Sequence, residues 1–321
     1  MAWFALALLS AIPGDRCVQI DAPYLVRVEH PKAPVMNVVV HPEGGILSLP
    51  WVGEPSVRQW SEAFDKGSTL RLPGQLDYAL EDGRFVVHLH GYQVKPEQYE
   101  LWSWDGTSRI RKLGAADSQK RLAALICNVL PAAVGEPQTD EWFCIAGRLI
   151  ANDKDHSVLV WERGRWVPIG ASLYLSPIGD LSDSRLFLKP EDHARVSAAL
   201  AKFSIPTIRV PPSGPEWGKP VFADAGHPLE QFRAVACGRF VCWAVSRRGR
   251  VLMYDLRSQA PDWKKVGEVG NPDAMIGLSA GNDRAALVMS NCDDHMYYLA
   301  APAVSQPPPN KGSVTAKDGG S

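Results

Sequence analysis

Glycines 74, 114, 170, 214 and 267 each close a similar short segment, and they recur about 40 to 56 residues apart. Three of the segments are Phe64-Asp-Lys-Gly-Ser-Thr-Leu-Arg-Leu-Pro-Gly74, Trp104-Asp-Gly-Thr-Ser-Arg-Ile-Arg-Lys-Leu-Gly114 and Trp161-Glu-Arg-Gly-Arg-Trp-Val-Pro-Ile-Gly170. A fourth, with a longer turn, runs from Tyr254-Asp-Leu to Asp262-Trp-Lys-Lys-Val-Gly267, and a degenerate copy spans Ile205 to Gly214. Each full copy has an aromatic residue, an acid, a turn, a short strand and the glycine. The acid with its small or polar neighbours turns the chain, and the aromatic packs between sheets. A spacing of this order holds one small sheet per repeat, so the chain reads as an array of such sheets.

A second piece recurs upstream of the first. Asp82-Gly-Arg-Phe-Val-Val, Asp183-Ser-Arg-Leu-Phe-Leu, Cys237-Gly-Arg-Phe-Val-Cys and Asn282-Asp-Arg-Ala-Ala-Leu all place a tight turn before an arginine and an apolar strand. Strands apolar on both faces belong inside a stack of sheets. The last unit lacks a closing strand after His295-Met-Tyr-Tyr-Leu-Ala300, whereas Cys17-Val-Gln-Ile and Tyr24-Leu-Val-Arg-Val form strand-like stretches before the first full unit. An N-terminal strand that completes the last sheet would remove exposed edges. One segment breaks the pattern: Pro190-Glu-Asp-His begins a stretch with Val196, Leu200 and Phe203 at helical spacing, a helix inserted between strands of the fourth unit.

Together these residues resemble the β-propeller superfamily over about residues 17 to 302. Trp104-Asp105 resembles the aromatic-Asp pair of WD40 blades, and Trp161-x-x-Gly-x-Trp-x-x-Ile-Gly resembles repeats of bacterial secreted propellers. The resemblance implies an all-β, six-bladed propeller, within a range of five to seven blades, closed by an N-terminal strand and carrying one short helical insertion. No WD40 Gly-His partner, kelch Gly-Gly recurrence or sialidase-type Asp-box spacing accompanies the repeat, so no functional family follows and no catalytic residue is carried over.

The ends differ in character. Residues 1–16 read as a signal peptide, with an apolar run from Ala2 to Ala11 and a breaker at Pro13-Gly14, although no Lys or Arg precedes the run. A buried first strand is the alternative. Residues 303–321 are Pro-, Gly- and Ser-rich and read as a disordered tail. Six cysteines, an even number, suit an oxidising compartment, periplasmic or extracellular, and Cys127 with Cys144 is the pair singled out among 15 possible pairings. With 34 Lys+Arg against 35 Asp+Glu, the chain lacks the basic excess of a nucleic-acid binder. No segment is long and apolar enough to span a bilayer, and a monomer is expected.

Chemistry is sparse. There is no Gly-x-Ser-x-Gly elbow, phosphate-binding glycine loop or His-Glu-x-x-His motif. His88 and His90 share one face of a strand, and His41 is the candidate third ligand for a metal. The cluster Asp293-Asp294-His295 reads as a solvated turn. Asp82, Asp105, Glu162 and Asp183 recur in turns, which favours structural work over acid–base catalysis. Trp51, Tyr92 and Trp217 are the candidate binding residues, being of types enriched at interaction hot spots. The expectation is a non-catalytic binding or scaffold protein without a cofactor, presenting loops to a protein or glycan. The alternative is a secreted hydrolase or lyase, metal-assisted through channel-facing His and acidic residues.

Overall fold

The computed structural model describes residues 17–29, 35–43, 45–50, 56–60, 69–71, 74–89, 98–106, 109–135, 142–153, 155, 157–172, 182–183, 185–211, 232–290 and 296–303. Strands β1 (Val18–Ile20) and β2 (Leu25–Glu29) open the chain. The first sheet is β3 (Val35–Val40), β4 (Ile46–Pro50), β5 (Ser56–Trp60) and β6 (Thr69–Arg71). The second is β7 (Gln75–Ala79), β8 (Arg84–Leu89), β9 (Gln98–Trp104) and β10 (Ile110–Ala116), followed by helix α1 (Gln119–Ile126) and a 3-10 turn at Pro131–Ala133. The third is β11 (Trp142–Ile145), β12 (Arg148–Asn152), β13 (Ser157–Glu162) and β14 (Arg165–Ser172), with β15 (Ser182–Asp183) beside β11.

In the fourth, β16 (Leu186–Leu188) pairs in parallel with β17 (Thr207–Arg209), and helix α2 (Pro190–Ala201) crosses between them. The fifth comprises β18 (Phe232–Cys237), β19 (Val241–Ser246), β20 (Arg250–Asp255) and β21 (Trp263–Val269), extended by β1. The sixth comprises β22 (Met275–Gly281), β23 (Arg284–Met289) and β24 (Met296–Ala300), extended by β2. Five of the six sheets described are thus built on antiparallel meanders of consecutive strands, the third also taking β15 parallel to β11, and such meanders are the kind of unit that β-propellers repeat.

The two recurring sequence pieces fall at fixed places in these meanders. Turn-Arg-apolar segments become second strands: β19 and β23 are buried over nearly their whole length, and β8 over Phe85–Val87, because sheets cover both faces. Aromatic-acid segments end the third strand and turn into the outer one, where β10 and β21 expose charged residues on their outward side. The acids act as expected of turn residues: Asp82 Oδ1 accepts the Arg84 N–H at 3.0 Å, and Asp255 Oδ1 accepts the Arg257 N–H at 2.9 Å.

Apolar clusters fill the spaces between sheets. Val39, Leu47, Phe85 and Trp104 join the first and second sheets. Tyr99, Leu101 and Ile126 with Trp142 and Leu149 join the second, α1 and the third. Ile150 and Val160 meet Leu188 and Leu200 between the third and fourth. Phe187 and Ile208 meet Cys242, Leu252 and Trp263 between the fourth and fifth. Trp243 and Val245 meet Leu287 and Leu299 between the fifth and sixth, and Val38, Val40 and Ile46 meet Ala286, Val288 and Tyr298 between the sixth and first.

The N-terminal strand β2 runs antiparallel to β24, with Leu25 opposite Leu299 and Val28 opposite Tyr297, and so supplies the fourth strand of the sixth sheet. Helix α2 lies between the strands of the fourth unit as its sequence suggests, with Pro190 in its first turn and Val196 and Leu200 buried. The single helical insertion is corrected to two, because α1 also forms. Ser118 caps it by accepting the Arg121 N–H, and Leu122, Ala123 and Ile126 bury one face. Residues 1–16 and 304–321 lie outside the described residues. Among the described residues, no helix is long and apolar enough to cross a membrane.

Candidate functional site

Two places gather polar or exposed groups that a folded core does not explain. The first is the set of turns that lead from the first strand of a sheet to its second. Arg185, just before β16, is buried, and its Nη1 donates to the Gly238 carbonyl at 3.2 Å while Nη2 donates to the Arg239 carbonyl at 3.0 Å. Both acceptors lie in the β18–β19 turn. On its other side, Glu81 Oε2 of the β7–β8 turn stands 3.6 Å away. The N–H groups of Phe240 and Val241 donate to the Asn282 carbonyl in the sixth sheet, and Asn282 Nδ2 donates to the Pro42 carbonyl in the first. Hydrogen bonds and one ion pair therefore tie turns of the first, second, fourth, fifth and sixth sheets together.

His41 belongs to the same set. Its Nδ1 accepts the Glu43 N–H at 3.1 Å, and its ring packs edge-on to Trp104 with centroids 5.3 Å apart. Gly83 and Gly106 flank the imidazole so closely that a Cβ would stand 2.4 Å and 2.7 Å from ring atoms, and both have positive φ. Glycine is thus required there twice over. Burial depresses the His41 pKa below 6.5, against the opposing charges of Glu43, Asp105 and Asp82. The unfolded chain then takes up this proton first as the pH falls, so the contribution of His41 to stability is complete above 6.5 and is lost as pH drops through the lower folded value. Urea midpoints measured from neutral pH downward should fall more steeply for the wild type than for His41→Gln; equal slopes would refute this.

These contacts bear on the expected metal set. His41 Nδ1 is already taken by the Glu43 N–H. His88 stacks its ring on Tyr99, its cross-strand neighbour, with centroids 4.5 Å apart. His90 lies outside the described residues, as do Trp51, Tyr92 and Trp217. Among the described residues, no three His, Cys, Asp or Glu side chains converge as a metal would need. The acids expected in turns act there: Asp82 also pairs with Arg84, and Asp105 Oδ1 accepts the Arg109 N–H at 3.1 Å. Removing the central cation should be costly. Arg185→Ala leaves two carbonyls without a charged donor and is expected to lower stability by about 2 to 3 kcal/mol. Arg185→Lys should not restore it in urea unfolding, since an ammonium lacks the planar fork.

The second place is the insertion between the second and third sheets. Cys127, one residue past α1, is disulfide-bonded to Cys144 in β11, with Cα atoms 5.5 Å apart. Arg84 Nη1 donates to the Ile126 carbonyl at 2.9 Å and holds the same end. Farther on, Trp166 Nε1 donates to the Gly135 carbonyl at 2.6 Å, and Trp166 packs between Trp142 and Trp161. Beside the start of α1 lies a groove of about 490 Å³ lined by Gln98 of β9, Ala115 and Ala116 of β10, Asp117, Arg121 of α1, and Pro131 and Ala132. Leu130, next to it, is 76% exposed, the most exposed large apolar residue among those described. The sequence does not announce this site because its lining residues come from separate elements; the Ser118 cap before Leu122 and Ile126 is the available signal.

No family model and no curated protein matches the chain. Solved structures similar to it include a PQQ-bound aldose sugar dehydrogenase from Streptomyces coelicolor, at 11% identity and TM-score 0.36, covering 86% of this chain and 97% of that one. The β-propeller domain of Cps50 (Swd1) from Myceliophteria thermophila is similar at 9% identity and TM-score 0.37, covering 87% and 99%. A chain of a mitotic checkpoint complex is similar at 9% identity and TM-score 0.43, covering 94% and 99%. No residue role is carried over from any of them.

Proposed function

We propose that this chain is a non-catalytic binding scaffold, an exported six-bladed propeller that presents its insertions and loops to a protein or glycan partner. The observation that carries the reading is the division between its two polar or exposed places. Arg185, Asn282 and His41 of the turn set are hydrogen-bonded to backbone groups of the protein, whereas the insertion beside α1 leaves a groove and Leu130 open to solvent. A catalytic centre needs donors and acceptors free to meet a substrate.

The finer parts of the scaffold have their own support. Six apolar clusters, each between successive sheets and the last between the sixth and the first, favour a closed ring of six blades. The pairing of β2 with β24 favours closure by the N-terminal strand. Export is favoured by the Cys127–Cys144 and Cys237–Cys242 disulfides and by the disulfide-bonded state of Cys17. A monomer is favoured by the outer strand β10, whose bulge between Lys112 and Gly114 and exposed Arg111 discourage edge pairing.

The test combines capture with turnover. Purified protein is cross-linked to the extracellular or periplasmic proteins of its source, probed on a glycan array, and assayed on glycoside, ester and uronate substrates with and without divalent metal. A saturable complex without turnover is expected. Turnover abolished by His88→Ala would instead establish the hydrolase or lyase alternative.

A further inference from the structure

The Cys237–Cys242 disulfide differs from Cys127–Cys144 in what it joins. Cys127–Cys144 ties the end of α1 to β11 across 17 residues. Cys237 and Cys242 are only 5 residues apart and stand directly opposite each other where β18 and β19 meet their turn. Backbone pairing already closes that turn. The Gly238 N–H donates to the Val241 carbonyl at 2.8 Å, and the ladder continues with Ala236 opposite Trp243. A cross-link stabilises less as the loop it closes shortens, so a staple at this position is nearly redundant.

The two sulfurs have unequal surroundings. Cys242 is fully buried, with Phe187, Ile208 and Leu252 in its cluster and Tyr254 of β20 as its other cross-strand neighbour. Cys237 is only partly buried against that cluster. A cation reaches the buried sulfur. Arg185 Nη1 lies 4.0 Å from Cys242 Sγ, and the same guanidinium donates to the Gly238 and Arg239 carbonyls, which follow Cys237 in the turn. Those bonds hold the charge in place before the sulfur needs it. Glu81 shares the cation from 3.6 Å, and burial raises the Tyr254 pKa, so the phenol stays neutral. A neighbouring cation favours a thiolate over its thiol, and the sulfur that is more stable as thiolate leaves faster in exchange.

We propose that Cys237–Cys242 is an exchangeable disulfide, opened reversibly by a dithiol reductant of the Cys-x-x-Cys class. A reductant thiolate attacks Cys237 Sγ and forms a mixed disulfide with it. The Sγ–Sγ bond breaks, and its electron pair leaves on Cys242 Sγ as a thiolate facing Arg185. The reductant's second thiol loses its proton and displaces Cys237, whose thiolate takes up a proton. Two electrons pass in all: the reductant ends as a disulfide and the pair as separate sulfurs. Arg185 also meets Glu81 of the second sheet, and the turn bonds Asn282 of the sixth, so the state of this one pair bears on contacts among several sheets. The proposal is independent of the binding-scaffold reading.

Native protein equilibrated with mixtures of reduced and oxidised dithiothreitol, quenched in acid, alkylated in denaturant and mapped by mass spectrometry tests it. Cys237 and Cys242 should be alkylated together at ratios that leave Cys127–Cys144 closed. Glutathione adducts trapped in acid from the wild type should sit on Cys237. Arg185→Gln keeps an amide donor but no charge, and its ratio of reduced to oxidised dithiothreitol at half reduction should rise about tenfold. An arginine with only a structural role would give the opposite sign, because a loosened turn exposes the bond and eases its reduction. Circular dichroism checks that the variant folds; if it does not, the wild-type comparison with Cys127–Cys144 and the adduct position decide. The proposal is overturned if Cys237–Cys242 resists reduction as Cys127–Cys144 does, if the adducts sit on Cys242, or if folded Arg185→Gln is reduced as easily as the wild type or more easily.

Discussion

Trp243→Ala should lower the free energy of unfolding by about 3 to 5 kcal/mol, read as a fall in urea midpoint at unchanged slope. Trp243 is fully buried in the middle of β19, opposite Ala236 on one side and Met253 on the other. Its ring belongs to the cluster between the fifth and sixth sheets, with Val241 and Val245 two residues away on the same face. Cys242 and Ala244 point the other way, into the cluster with the fourth sheet. The strand is thus sandwiched, and the sheets on either side limit how far it can move to fill the vacated volume. A domain stabilised by about 5 to 15 kcal/mol would lose a large share of its margin. Trp243→Phe separates volume from polarity. The indole Nε1 is buried without a hydrogen-bond partner, so phenylalanine removes an unsatisfied donor along with part of the ring. Its cost should fall well below that of alanine. Equal costs for the two variants would show that ring volume is not what holds the fifth and sixth sheets together.

What could be read from the sequence was what is local. The acid two residues before an arginine makes its bond within the turn, as Asp82 and Asp255 do, so the same residues recur wherever the same turn does. Apolar strands after such turns announce burial on both faces, as β19 and β23 confirm. Helix α1 escaped because its length was absorbed into the interval between Gly114 and Gly170, the widest in the series.

Tertiary juxtapositions left no such mark. Arg185 looked like any other turn arginine, and only the folded chain brings it to two carbonyls in the fifth sheet and a carboxylate in the second. His41 showed an imidazole but not Gly83 and Gly106 on either side of it, which belong to turns of the next sheet, well separated along the chain. The candidate site was the least legible part. Its alanine and proline lining residues carry no chemical signature, and Gln98, Asp117 and Arg121 join them only in the folded chain.

The bond that holds α1 should therefore matter for both stability and binding. Cys127→Ala with Cys144→Ala opens a loop whose ends are 17 residues apart, and chain entropy alone assigns that closure about 3 kcal/mol. Alanine is the informative replacement. Both cysteines are buried, so a serine pair would add the cost of two desolvated hydroxyls and inflate the effect. Urea unfolding should show the loss, and hydrogen exchange should locate it. Amides of α1 should lose protection first, because only the packing of Leu122, Ala123 and Ile126 and the Arg84–Ile126 hydrogen bond then hold the helix, while β10 keeps its ladder to β9. Amides of β19 and β23 should exchange faster only through global unfolding. If α1 keeps its protection, the helix is positioned by its buried face and the Arg84–Ile126 bond, and the disulfide acts on the unfolded chain alone. If protection is lost across all sheets together, the insertion is part of the cooperative core, and the groove cannot loosen without the molecule unfolding.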